Sequence, residues 1–304
     1  MQAERPGDAA RHFRLAVSWQ HRPLVCPSRM TAQKEHCMTT THGALWQTHK
    51  IVSALEQALD LALIQARQLT RDGQDIDAYQ VHCERLAYRA TELQAAQSML
   101  RYAEMQAQHG QGNDLSSRMA LAYAAEVHQA LLGESSAQRD MYGLGVADIA
   151  QTLGDADVRQ AARSGASEAT LGAIGREVLD TYGANTIWLG DEMAEMTRQS
   201  VRDFTRQEVE PIAERVHRHD ELAPDELIAK MGHLGFFAMS IPEDYGGTGM
   251  GMLVMVVTTE ELSRGSLGAA GSLITRPEIV ARALLDGGTA HATTMDIKGV
   301  GVMI

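Results

Sequence analysis

Gly235-Phe-Phe-Ala-Met-Ser-Ile-Pro-Glu-Asp-Tyr-Gly-Gly-Thr-Gly-Met250 decides the fold, because few folds demand apolar, turn and acidic residues in this order. Gly235 stands where a helix C-terminus needs a left-handed residue. Phe236 to Ile241 is an apolar run too short for a helix of its own, so the pattern predicts a short buried extended segment. Pro242 sets the backbone, Tyr245-Gly246-Gly247 supplies the freedom of a tight turn, and a new helix begins near Met252.

Working outward, the helix after the turn closes on Glu260-Glu261-Leu262-Ser263-Arg264. A helix, the Gly-aromatic run, Ser-Ile-Pro-Glu-acid-Tyr-Gly-Gly and a helix ending Glu-Glu-Leu-small-Arg resemble, in this order and spacing, the N-terminal helical domain of the acyl-CoA dehydrogenase family. The likeness runs from about Met193 to Thr289. It implies a flavoenzyme in which a glutamate removes the α-proton of an acyl-CoA thioester while the β-hydride passes to FAD. It also implies an electron-transfer flavoprotein as acceptor and a homo-oligomeric assembly. The family's flavin-binding β-domain and C-terminal helical domain, which usually carries the catalytic base, have no counterpart in this sequence. No catalytic or cofactor-binding residue is therefore assigned, and Glu243, Glu260 and Glu261 are not offered as the base. FAD is expected in a complete enzyme and not on this chain alone.

Downstream, Ser272 to Leu285 reads as helical on both sides of Pro277, with Gly287-Gly288 as its end. Arg276 lies among apolar residues in Ser272-Leu-Ile-Thr-Arg-Pro-Glu278. A cation there must reach solvent, pair with an acid such as Glu278, or meet a ligand anion. Aligned without gaps from Arg264 to Gly288, the segment falls where family members line the far end of the acyl pocket. The resemblance thus makes Thr275 and Arg276 the candidate substrate-binding pair, taking the distal carboxylate of a dicarboxylic acyl-CoA. From Ala290 to Ile304 the family pattern stops abruptly, as a frameshifted or misjoined gene would produce, and the domain is expected to span 185–289 with 290–304 an aberrant tail.

Upstream, Ile51, Leu55, Leu59, Leu63, Ala66 and Leu69 make one apolar stripe and predict a helix from about Thr48 to Thr70. Cys83, Leu86, Ala90, Leu93, Leu100 and Ala103 predict a second, ending near His109-Gly110. Asn113-Asp114 caps a third that Gly133 ends, and Tyr142 to Arg163 and Glu168 to Tyr182 predict two more, the last ended by Gly183. Asn185 is expected to cap the next helix, Pro211 to kink or end it, and Pro224 to open a helix from Asp225 to Leu234. Residues 46–184 therefore read as a helical-bundle extension. Residues 1–45, rich in arginine and without periodicity, read as disordered or as preceding a true start at Met30 or Met38.

At 304 residues the chain has room for two domains, and with 5 % aromatics the composition favours helix packing over a sandwich or barrel. A formal charge of −12 disfavours nucleic acid or an anionic membrane as partner. No run approaches the roughly 20 apolar residues of a membrane span. Cys26, Cys37 and Cys83 form no paired framework, which points to a reducing compartment, the cytoplasm.

Other constellations weigh toward structure. Gly247-x-Gly249-x-Gly251 misses the dinucleotide spacing and is led by Glu243 and Asp244, which repel a pyrophosphate. His217-x-His219 places its two rings on different helix faces, so it reads as a solvated polar surface and no metal is assigned. Met231, Met239, Met250, Met252 and Met255 suit either an acyl-chain pocket or an irregular core, with core favoured. The fold class is all-α: a helical-bundle extension followed by an acyl-CoA dehydrogenase N-terminal helical domain. The competing functional reading is a stand-alone helical interaction module without flavin.

Overall fold

The computed structural model of the chain describes residues 32–137, 142–182 and 187–288; residues 1–31, the tail 290–304, Gly183 and Asn185 lie outside them. Among the described residues every regular element is a helix and none is a strand. The chain divides into two compact units at Thr186/Ile187.

The first unit is a bundle of α1 (Ala32–Leu69), α2 (Gln80–Gln108), α3 (Asp114–Ala137), α4 (Val146–Gln151), α5 (Ala156–Gly165) and α6 (Glu168–Asp180). Of the α1 stripe, Ile51, Leu55, Leu59 and Ala66 are buried, together with Ala58 and Ala62, in one core with Leu93 and Leu100 of α2 and Leu121 and Leu131 of α3, while Leu63 and Leu69 are exposed. The helix starts at Ala32, well before Thr48, because Ala32-Gln-Lys-Glu-His-Cys-Met is made largely of good helix formers that need no packed stripe. Gly133 does not end α3. A lone helical glycine loses only about 1 kcal/mol against alanine, and Leu131 and Ser135, both buried, hold the helix on either side of it.

The segment Tyr142–Arg163 is not one helix but two. Gly154 donates to the Ile149 carbonyl at 2.6 Å and turns the chain, and the Asp155 carboxylate then accepts from the amides of Asp157 and Val158 at 2.9 and 3.1 Å to start α5. Buried His128 of α3 pins this turn, donating from Nε2 to the Leu153 carbonyl at 2.8 Å. Its Nδ1 has no partner in the buried interior, and burial holds its pKa below the usual histidine value. Nearby, the Tyr142 hydroxyl donates to Glu134 at 2.6 Å, and Arg89 joins the same carboxylate at 2.8 Å and Glu92 at 2.5 Å. Burial and the Glu134 carboxylate push Tyr142 up to about 12.

The second unit contains α7 (Glu192–Phe204), α8 (Glu210–Arg218), α9 (Asp225–His233), α10 (Gly251–Gly265) and α11 (Ser272–Gly287). Asp191 caps α7, accepting from the Ala194 amide at 2.8 Å. The α7 run ends at Phe204, ahead of Pro211, and Pro211 stands in the first turn of α8. A π-helical turn over Thr205–Val209 widens the ladder just before it, so the ring meets no carbonyl one tight turn back and α8 follows directly. Val201, Leu227, Met231, Phe236, Leu262 and Ile274 form the core of the unit, with Phe204 edge-on to Phe236 at 5.3 Å.

Two histidines of the first unit respond to pH in opposite senses. His49 of α1 hydrogen-bonds Glu104 of α2, which raises its pKa, so its stabilising share is present below the unfolded value near 6.5 and is lost as pH rises through the folded one. His128, buried neutral, loses stability as pH falls below 6.5. Urea midpoints measured from pH 7.5 to 5.5 are expected to fall more steeply for His49→Gln than for the parent chain and less steeply for His128→Gln.

Candidate functional site

The second unit builds its candidate site around the Gly235–Gly251 turn. Gly235 is left-handed (φ 76°), closing α9 as its position in the sequence predicts. The run that follows is not extended: Phe236–Ala238 coils into a 3-10 turn because Ala238 and Ile241 bond back to Gly235 and Ala238. The returning limb pairs with it, Thr248 and Met250 donating to the carbonyls of Ala238 and Met239 at 3.1 and 2.8 Å. Gly247 lies inside this fold, where an added Cβ would sit 2.0 Å from the Ile241 carbonyl oxygen. The glycine is required by the chain's own close approach.

α10 receives the turn. Met239, buried, accepts a contact from the Thr258 hydroxyl at 3.2 Å. Met231 and Met239 are core, Met250 packs against it, and Met252 is exposed, so the five methionines do not line one pocket. One turn on from Thr258, Glu261 is only 3 % exposed and takes both Arg202 hydrogen bonds from α7, Nε to Oε2 at 2.9 Å and Nη2 to Oε1 at 2.5 Å. Arg264 stands 3.9 Å from the same carboxylate. That hydrogen bonding raises the Arg202 pKa, and it occupies both oxygens of Glu261.

Beyond α10 a second π-helical turn, Leu267–Gly271, leads into α11. At Gly271 an added Cβ would fall 2.1 Å from Ser263 Oγ and 3.1 Å from Ser263 Cα, so the start of α11 is pressed onto α10. Thr275 and Arg276 lie in the second turn of α11, and their side chains are outside the described set. His217 and His219 lie at the exposed C-terminal end of α8, and no three His, Cys, Asp or Glu side chains gather for a metal among the described residues. Sequence reasoning missed the Arg202 and Glu261 pairing, for which the spacing of 59 residues carries no signal.

The glycine turn does not fit a flavin pyrophosphate. Gly247 is spent on the chain's own close approach, and exposed Glu243 and Asp244 stand at the head of the turn. No step of flavin chemistry is derived from these residues.

Residues 191–293 match by sequence the family described as acyl-CoA dehydrogenase, N-terminal domain. The chain is 42 % identical over 132 residues to (2S)-methylsuccinyl-CoA dehydrogenase of Cereibacter sphaeroides, covering 43 % of this chain and 23 % of that protein. It is 39 % identical over 74 residues to glutaryl-CoA dehydrogenase of Desulfococcus multivorans, covering 24 % and 19 % respectively. Against the human mitochondrial short-chain specific acyl-CoA dehydrogenase the figures are 40 % over 84 residues, 27 % and 20 %. The matched stretch thus spans less than a quarter of each relative. Among the described residues no helix is long and apolar enough to cross a membrane.

Replacing Arg202 by alanine strands the buried Glu261 carboxylate and is expected to destabilise the unit by about 3 kcal/mol. Arg264→Ala, at an exposed position 3.9 Å from the same group, is expected to change stability by less than about 0.5 kcal/mol. Urea unfolding of the two variants checks the difference.

Proposed function

We propose that the second unit serves as the N-terminal helical domain of an FAD-dependent acyl-CoA dehydrogenase, which carries out α,β-dehydrogenation of an acyl-CoA thioester. The substrate proposed is methylsuccinyl-CoA, and Thr275 and Arg276 are proposed to take its distal carboxylate. The observation that carries this reading is the 42 % identity over 132 residues to a dehydrogenase named for that substrate. FAD, the base that removes the α-proton, and docking to an electron-transfer flavoprotein belong to the other domains of such an enzyme, which we place in the cytoplasm as a homo-oligomer. The 304-residue chain alone is expected to be colourless and inactive.

A second reading has its own support. Met252, Leu253 and Val256 share one face of α10 and are 47 %, 43 % and 49 % exposed. Such a face docks on something, and in a stand-alone interaction module without flavin it would recruit a partner.

The two are separated by grafting residues 187–288 in place of the matching domain of the Cereibacter sphaeroides enzyme. The chimera is expected to oxidise methylsuccinyl-CoA, and Arg276→Ala within it to raise KM for that ester by roughly tenfold to a hundredfold, the worth of a charged hydrogen bond, while an uncharged acyl-CoA is little affected. A folded, flavin-loaded chimera without activity favours the module. An active one whose preference ignores Arg276 removes the carboxylate role.

A further inference from the structure

In the first unit, Trp46, Lys50, Ser53 and Gln57 recur at steps of three and four residues and share one face of α1. Opposite them lie the Thr152–Asp155 turn and the first turn of α5, and between the two is an open groove of about 440 Å³. Its most specific feature is a cation seat. The Lys50 ammonium stands 4.0 Å from the centroid of the Trp46 ring and 2.6 Å from Asp157 Oδ2. Asp155 lines the same lip two residues away.

We propose that this groove is a binding site for an aliphatic diamine, whose first ammonium displaces Lys50 from between Trp46 and Asp157 while the second meets Asp155. An aromatic face beside a carboxylate selects an alkylammonium, since the ring quadrupole and the anion attract the same charge. An anion is disfavoured: the amides of Asp157 and Val158, the donors an α5 terminus would offer, are already taken by Asp155, and both aspartates repel it. A metal ion finds no group of three suitable side chains among the described residues. His49, which also lines the groove, has its charge matched by Glu104. Lys50 acts as the internal competitor. It reaches the seat on a flexible four-carbon stem, and Asp157 is 75 % exposed, so the pair it leaves is a weak surface one.

The test uses the full chain and its tryptophan fluorescence, titrated with 1,4-diaminobutane at constant ionic strength, with butane-1,4-diol as the uncharged control. A saturable change with the diamine alone is expected, and it disappears in Trp46→Phe. Lys50→Met removes the competitor and is expected to tighten binding by about threefold to fivefold, the worth of an exposed ion pair. Asp157→Asn, at an exposed position that leaves the fold intact, is expected to weaken it by a similar factor. Circular dichroism establishes that each variant is folded. The proposal is overturned by an unsaturable response to the diamine, by an equal response to the diol, or by a folded Lys50→Met chain that binds the diamine no tighter than the parent.

Discussion

Glu261 is a carboxylate taken almost wholly out of water, and the second unit is arranged so that this is tolerable. A buried carboxylate without a partner is among the least favourable groups a core can hold. Both of its oxygens are met by the planar fork of Arg202, which pins α7 to α10 in one register. With that register set, the remaining parts have little freedom. Met239 and Thr258 seat the turn on α10, and Gly271 lets the start of α11 close onto Ser263. The helix carrying Thr275 and Arg276 begins where that packing leaves it.

The chemistry available in this unit is correspondingly that of shape. Glu261, buried, is committed to arginine, and Glu243 and Asp244 lie exposed at a turn whose Gly247 serves the chain's own close approach. What the unit presents to its surroundings is the apolar face of α10 carrying Met252, Leu253 and Val256. The first unit works differently. Its polar groups are tied across long stretches of chain, Arg89 to Glu134 and His128 to Leu153, and the second of these ties holds the turn that forms one side of the α1 groove.

Much of this was legible from local pattern. The helices α1 and α2, the left-handed Gly235 and the helix after the glycine turn follow from periodicity and backbone freedom, although Leu63, Leu69 and Ala90 of the two stripes lie exposed, and the motif from Gly235 to Arg264 pointed to the family that residues 191–293 match. Where local pattern misled, packing or capping had won. Gly133 stays helical because its neighbours are buried, and Phe236–Ala238 coils because Ala238 and Ile241 bond back to Gly235 and Ala238. The break between α4 and α5 had a signal in Gly154-Asp155 that the apolar period of the flanking residues concealed.

The amino-acid sequence by itself determined the all-α class, the placement of most helices and the family likeness of the second unit, because each depends on residues within a turn or two of one another. The tertiary structure alone decided which charges are spent and which are available. Arg202 and Glu261 are 59 residues apart, Arg89 and Glu134 are 45 apart, and Lys50 and Asp157 are 107 apart. Such pairings arise from the packing of whole helices, and no local preference of the chain encodes them.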